Sequence, residues 1–122
     1  MLRGRLELIA GVSHDPGLGH FLVWGLGGVH TEILAQIDLA PIPTAPDDLL
    51  AQVQASRTGR LLQSMQPDGR ALQALVETLM ALQALMAAQS SSIASIDANP
   101  LLLVGDRLVA VDALVVPHNH HP

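Results

Sequence analysis

Between Asp68 and Gln89, Leu72, Leu75, Val76, Leu79, Leu82 and Met86 recur at steps of three and four. That spacing lays six apolar side chains along one face of an α-helix, and the Ala- and Leu-rich background favours the same conformation. Short runs flank this stripe on both sides. Leu6 to Val12, Phe21 to Leu26 and Glu32 to Leu39 are separated by Asp15-Pro16-Gly17-Leu18-Gly19 and Gly25-Leu26-Gly27-Gly28, which predicts an antiparallel meander. After the long helix come Ile93 to Asp97, Leu101 to Val104, a Gly105-Asp106 turn and Arg107 to Val116. Glycine precedes aspartate in that turn, which leaves its type open. The proline-rich hinge from Pro41 to Pro46 starts a shorter helix, expected to reach about Ser56. Thr44 or a neighbour would cap it, and Asp47 and Asp48 would sit on the positive end of its dipole. Strand, helix and strand blocks in this order predict an α+β domain, an antiparallel sheet with two or three helices.

Charge narrows the function classes. The 122 residues carry 11 acidic and 6 basic side chains, a formal net charge of -5, so no nucleic-acid partner is expected. All six basic residues are arginines (Arg3, Arg5, Arg57, Arg60, Arg70 and Arg107), which excludes a Schiff-base or phosphate-gripping lysine. With Trp24 and Phe21 as the only aromatic residues, aliphatic side chains must fill the core. The absence of cysteine excludes disulfides, thiolate metal sites and a cysteine nucleophile, and suits a cytoplasmic location. Glu7 interrupts the apolar stretch after Arg3 and Arg5, and no window approaches about 18 uninterrupted apolar residues. Neither a secretion signal nor a membrane partner is therefore expected.

Two segments can carry chemistry. Glycines in Gly25-Leu26-Gly27-Gly28-Val29 would let the backbone approach a phosphate closely, and would equally serve a tight hairpin turn. In Asp97-Ala98-Asn99-Pro100, Asn99 closes one strand while Asp112 lies on its partner, so two oxygen-bearing side chains can meet across the ladder. Amide and carboxylate oxygens completed by water and phosphate suit Mg²⁺; the competing reading is an Asx turn ahead of Pro100, with Asp112 facing solvent. His14, His20 and His30 match no zinc spacing, and no Gly-x-Ser-x-Gly elbow occurs. His118, His120 and His121 fall in a short tail, residues 118–122, expected to be flexible.

Taken in order, Glu7 to Val12, Asp15 to Gly19, Gly25 to Val29 with Glu32, Asp97-Ala98-Asn99-Pro100-Leu101 and Val111-Asp112-Ala113 resemble the ATP-grasp domain of nucleoside-diphosphate-forming acyl-CoA synthetases. This family includes ADP-forming acetyl-CoA synthetase and the β subunit of succinyl-CoA synthetase. The run departs from the family pattern at Leu18, His20 and Ser95. The resemblance implies that residues 1–117 form the C-terminal lobe of that fold. Asn99 and Asp112 would then hold Mg²⁺ with Asp97 beside them, and Gly27, Gly28 and Glu32 would line the phosphate end of a site for ATP or ADP. It further implies partners: an N-terminal ATP-grasp lobe and a CoA-binding domain or subunit supplied separately, or self-association. The isolated chain is expected to lack turnover. The alternative is a non-catalytic remnant or interaction domain that keeps the fold.

Overall fold

Strand alternation decides which side chains are buried, and in the computed structural model it does so on one face of a single mixed-length sheet. Residues 6–27, 37–89 and 91–118 are described. The elements are β1 (Glu7–Asp15), β2 (Gly19–Leu26), β3 (Asp38–Pro41), α1 (Pro46–Ala55), α2 (Arg57–Met65), α3 (Arg70–Gln89), β4 (Ile93–Val104), β5 (Arg107–Ala110) and β6 (Ala113–Pro117). All strand pairs are antiparallel, in the order β3-β2-β1-β4-β5, with β6 also pairing β4. The expected α+β class with an antiparallel sheet is what forms, with three helices.

Leu8, Ala10 and Val12 of β1 share a face with Leu22 and Trp24 of β2 and with Ile96, Ala98 and Leu101 of β4, and all are buried. The helices cover this face. Leu49 and Val53 of α1, Leu62 of α2, and Ala71, Leu72, Leu75, Val76, Leu79 and Met86 of α3 complete the core. α3 is long and apolar enough to cross a bilayer by length and composition. Its buried stripe of Leu72, Leu75, Val76, Leu79 and Met86 packs into the core.

The turns follow their residues. Asp15 Oδ1 accepts from the amides of Gly17 and Leu18, and Gly19 takes φ +86°, so the loop closes through a left-handed glycine. At Gly105-Asp106 only Gly105 has positive φ, the signature of a type II′ hairpin, which settles the turn type. The hinge caps α1 through Ala45 rather than Thr44, without a side-chain bond. Thr44 is engaged elsewhere: its N–H donates to Gln83 Oε1 at 2.8 Å, and Gln83 Nε2 donates to its carbonyl at 2.9 Å, clipping the hinge to α3.

Four boundaries differ from the expectation. β3 runs to Pro41, inside the expected hinge; a proline is tolerated there because β3 is an edge strand. Residues 32–36 of the expected third run lie outside the described residues. α3 opens at Arg70, two residues late, because Gly69 adopts φ +83°. β4 is one strand through Asn99-Pro100, where one extra residue relative to β1 forms a bulge, and the expected last strand is split at Val111-Asp112 into β5 and β6.

α2 was not expected at all. Ser56 both ends α1 and caps α2: its Oγ donates to the Val53 carbonyl at 2.6 Å and accepts from the Gly59 amide and from Trp24 Nε1, each at 3.1 Å. This buried hydroxyl ties both helices to the sheet. Ser56→Ala strands the indole N–H and removes the cap, a loss of about 2 kcal/mol. Urea unfolding should show it as a midpoint lower by about 1 M. An unchanged midpoint would mean that the hub contributes nothing.

Candidate functional site

The sheet face away from the helices carries the candidate residues, and the strand registers bring most of them together. Glu7, Ile9 and Gly11 of β1 point to this face. The Gly27 amide donates to the Glu7 carbonyl at 2.9 Å, placing Gly27 beside Glu7, while Gly11 lies opposite Asp97. A Cβ at Gly11 would stand 2.3 Å from the Ile96 carbonyl oxygen, so only glycine permits this close approach of β1 and β4. Alternation along β4 puts Asn99 on the same face as Asp97.

Asp112 arrives from the other side. The two-residue turn at Gly105-Asp106 sets one register from Val104 back to Ser95 along β4, and that register carries residue 99 opposite residue 112. The Asn99 amide donates to the Asp112 carbonyl at 3.2 Å, and the Val111 amide donates to the Pro100 carbonyl at 3.0 Å. Asp112 Oδ1 accepts from the Ala113 amide at 2.9 Å, so one carboxylate oxygen fixes the side chain. Asp97, Asn99 and Asp112 are all exposed. Asp112 thus faces solvent as in the competing reading, but its Oδ1 reaches only the next residue's amide, and no side-chain bond among the described residues makes an Asx turn at Asp97 or Asn99.

Among the described residues, no three His, Cys, Asp or Glu side chains are placed to hold a metal ion. The candidate set is instead two carboxylates and an amide oxygen on an open ledge. Its chemistry fits Mg²⁺, which takes oxygen donors, keeps several waters and is held through one or two carboxylates plus substrate phosphates. Among the described residues, softer metals find no thiolate or imidazole on the ledge. Gly28 and Glu32 lie outside the described residues. Glu7, read from sequence only as part of a motif, lies on the same face beside Gly27: its Oε2 is buried and has no hydrogen-bond partner among the described residues. A charged residue at the head of an otherwise apolar strand was the signal available for it.

A separate concavity lies elsewhere among the described residues. A groove of about 540 Å³ between α3 and β5, lined in part by Arg70, Glu77, Asp106 and Arg107, lies on the helix side of the molecule. On the ledge side Val109, Leu114 and Val116 expose apolar surface, Leu114 at 62%, while Val115, opposite Ile96, exposes its own on the helix side; β6 is exposed along its whole length.

Comparison with known proteins fits this geometry. Residues 1–116 match the family model described as ATP-grasp domain. The β subunit of acetate–CoA ligase [ADP-forming] II from Pyrococcus furiosus is 29% identical over 119 residues, 95% of this chain and 50% of that protein. The 4-hydroxybutyrate–CoA ligase [ADP-forming] of Nitrosopumilus maritimus is 31% identical over 108 residues, 85% of this chain and 15% of that protein. Among solved structures, PH1788 from Pyrococcus horikoshii superposes with a TM-score of 0.79 at 27% identity, covering 98% of this chain and 52% of its own. Acetyl-coenzyme A synthetase 1 of Ca. Korarchaeum cryptofilum shares the fold, with a TM-score of 0.76 at 24% identity over 97% of this chain and 55% of its own. The chain spans about half the length of the Pyrococcus β subunit. It belongs to the ATP-grasp domain family and is related to ADP-forming acyl-CoA ligases over nearly all of its length.

Proposed function

We propose that this chain supplies the magnesium side of a nucleotide site for the interconversion of acyl-CoA and acyl phosphate, of the ADP-forming type. The observation that carries the reading is the placement of Asn99 opposite Asp112 on the open sheet face, with Asp97 and Gly27 on the same face. Asn99 and Asp112 would hold the cation, with Asp97 beside them; bound Mg²⁺ neutralises phosphate charge during phosphoryl transfer. Asp112 keeps its carboxylate oriented through the Ala113 amide. Gly27, and by the family pattern Gly28 and Glu32, would border the phosphates. The rest of the cleft, with its cationic phosphate contacts, and a CoA-binding part would come from another domain or subunit. The ledge is open, and the chain has no lysine. Turnover by the chain alone is not expected.

Adding Mg²⁺ and ADP to the ¹⁵N-labelled chain should shift the amides of Gly27, Asp97, Asn99, Asp112 and Ala113 in nuclear magnetic resonance spectra. Shifts confined to the groove between α3 and β5 would relocate the site and end this reading.

One observation favours a second reading. The apolar side chains exposed on β5 and β6 give a partner or a second copy a strand edge to pair with, as a non-catalytic interaction domain would use it. Such a domain has no use for Asn99 and Asp112 as ion ligands, so the same spectra separate the two.

A further inference from the structure

The hairpin of β1 and β2 brings two imidazoles together on the side away from the ledge. His14 and His20 stand directly opposite each other in the register, with ring centroids 4.7 Å apart and ring planes inclined at 48°. Alternation puts both on the face of Val12 and Leu22, so neither belongs to the candidate nucleotide site. His14 is exposed at the rim. His20 is partly buried, and its Nε2 is buried without a hydrogen-bond partner among the described residues. A buried ring nitrogen left unpaired is costly, and a bound ion is one way such an atom is satisfied.

Imidazole nitrogen suits borderline divalent transition metals, and strand pairing supplies the chelating geometry. With Zn–N bonds of about 2.0 Å and tetrahedral angles, two imidazoles on one Zn²⁺ have ring centroids roughly 5 Å apart. The 4.7 Å between His14 and His20 is close to that separation, so a small rotation of the side chains turns a nitrogen of each onto a shared ion. The backbone under them is already fixed. Asp15 Oδ1 closes the turn through the amides of Gly17 and Leu18, and Gly19 completes it in the left-handed conformation, so binding has little chain left to order. His118 sets its ring edge-on to both, 5.5 Å from His14 and 5.9 Å from His20, and walls the pair on a third side.

Because no three side chains among the described residues are placed to hold a metal, the arrangement is a two-ligand chelate whose other positions fall to water. We propose that His14 and His20 form a bidentate nitrogen site for a borderline divalent transition-metal ion, with Zn²⁺ as its representative. The bound ion bridges β1 and β2 beside their turn. It differs from the Mg²⁺ of the ledge in face and in donor atom, nitrogen here and oxygen there, so excess Mg²⁺ does not displace it. The site does not depend on nucleotide binding.

Calorimetric titration of the full chain with Zn²⁺, in excess Mg²⁺ and without nucleotide, tests it. A variant carrying His120→Gln and His121→Gln, which removes those tail imidazoles as chelators, should still bind one ion per chain with the wild-type affinity. Adding His14→Gln, or separately His20→Gln, to that background should weaken binding by about tenfold or more. Amide spectra check that each variant is folded, and the exposed position of His14 keeps the test decisive should His20→Gln disturb the hairpin. No Zn²⁺ binding by the folded wild type, equal affinity with and without His14→Gln, or binding lost with His120→Gln and His121→Gln alone would overturn the site.

Discussion

Gly59→Ala should cost this fold about 3 kcal/mol or more and lower the melting temperature by about 12 °C, because its added methyl group meets the closest backbone approach among the described glycines. A Cβ at that position would lie 1.7 Å from the Val53 carbonyl oxygen and 2.7 Å from its carbon. Both are backbone atoms of the last turns of α1, so no rotamer change relieves the clash. α1 and α2 must separate instead. Separation breaks the Ser56 hydroxyl's bonds to Val53, Gly59 and Trp24 together and opens the core around Leu49, Val53 and Leu62. Gly17→Ala is the matched control: its Cβ would meet only Asp15 Oδ1 at 3.4 Å, and a surface change of that kind stays within about 0.5 kcal/mol. Calorimetric melting of the two variants beside the wild type decides the matter. If Gly59→Ala melts within 2 °C of the wild type, the corner between α1 and α2 is not closed as described.

Asp112→Asn has the largest expected effect on function and almost none on folding. The side chain is exposed, and an asparagine Oδ1 can still accept from the Ala113 amide, so the local turn survives. What changes is one full negative charge at the ion. Mg²⁺ draws much of its binding energy from carboxylate charge, and on a ledge with two carboxylates and one amide the loss of one carboxylate halves the formal charge. Magnesium-dependent affinity for ADP should fall at least tenfold, equivalent to about 1.4 kcal/mol. Asn99→Asp would add charge in the same place, and its retained binding would show that charge at the ion is what counts.

The sequence made the long helix legible because the stripe from Leu72 to Met86 buries one continuous face, and α3 forms there. α2 escaped because Ser56 reads as the end of the preceding helix, and because Gly59 sits in the first turn of a segment with few apolar side chains. Its warrant is tertiary: glycine is required there by the approach of α1, which no local periodicity reveals. Pro100 made β4 read as two strands. The proline lacks an N–H but sits in a bulge, where a missing ladder bond is tolerated and pairing resumes on both sides. The pairing of Asn99 with Asp112 was readable because a two-residue turn fixes the register from Val104 back past Asn99, whatever its turn type. The histidine cluster was not. His14 and His20 are joined by one hairpin, but the docking of His118 against them depends on where β6 ends relative to the turn after α3.

The central claim is that an ion held by Asp112 and Asn99 fastens a nucleotide to the open face. Calorimetric titration of the purified chain with ADP, with and without Mg²⁺ and repeated on Asp112→Asn, tests it most directly. Binding should require Mg²⁺ and weaken at least tenfold in the variant. Equal binding by both proteins, or no binding by a wild-type chain shown to be folded, would contradict it.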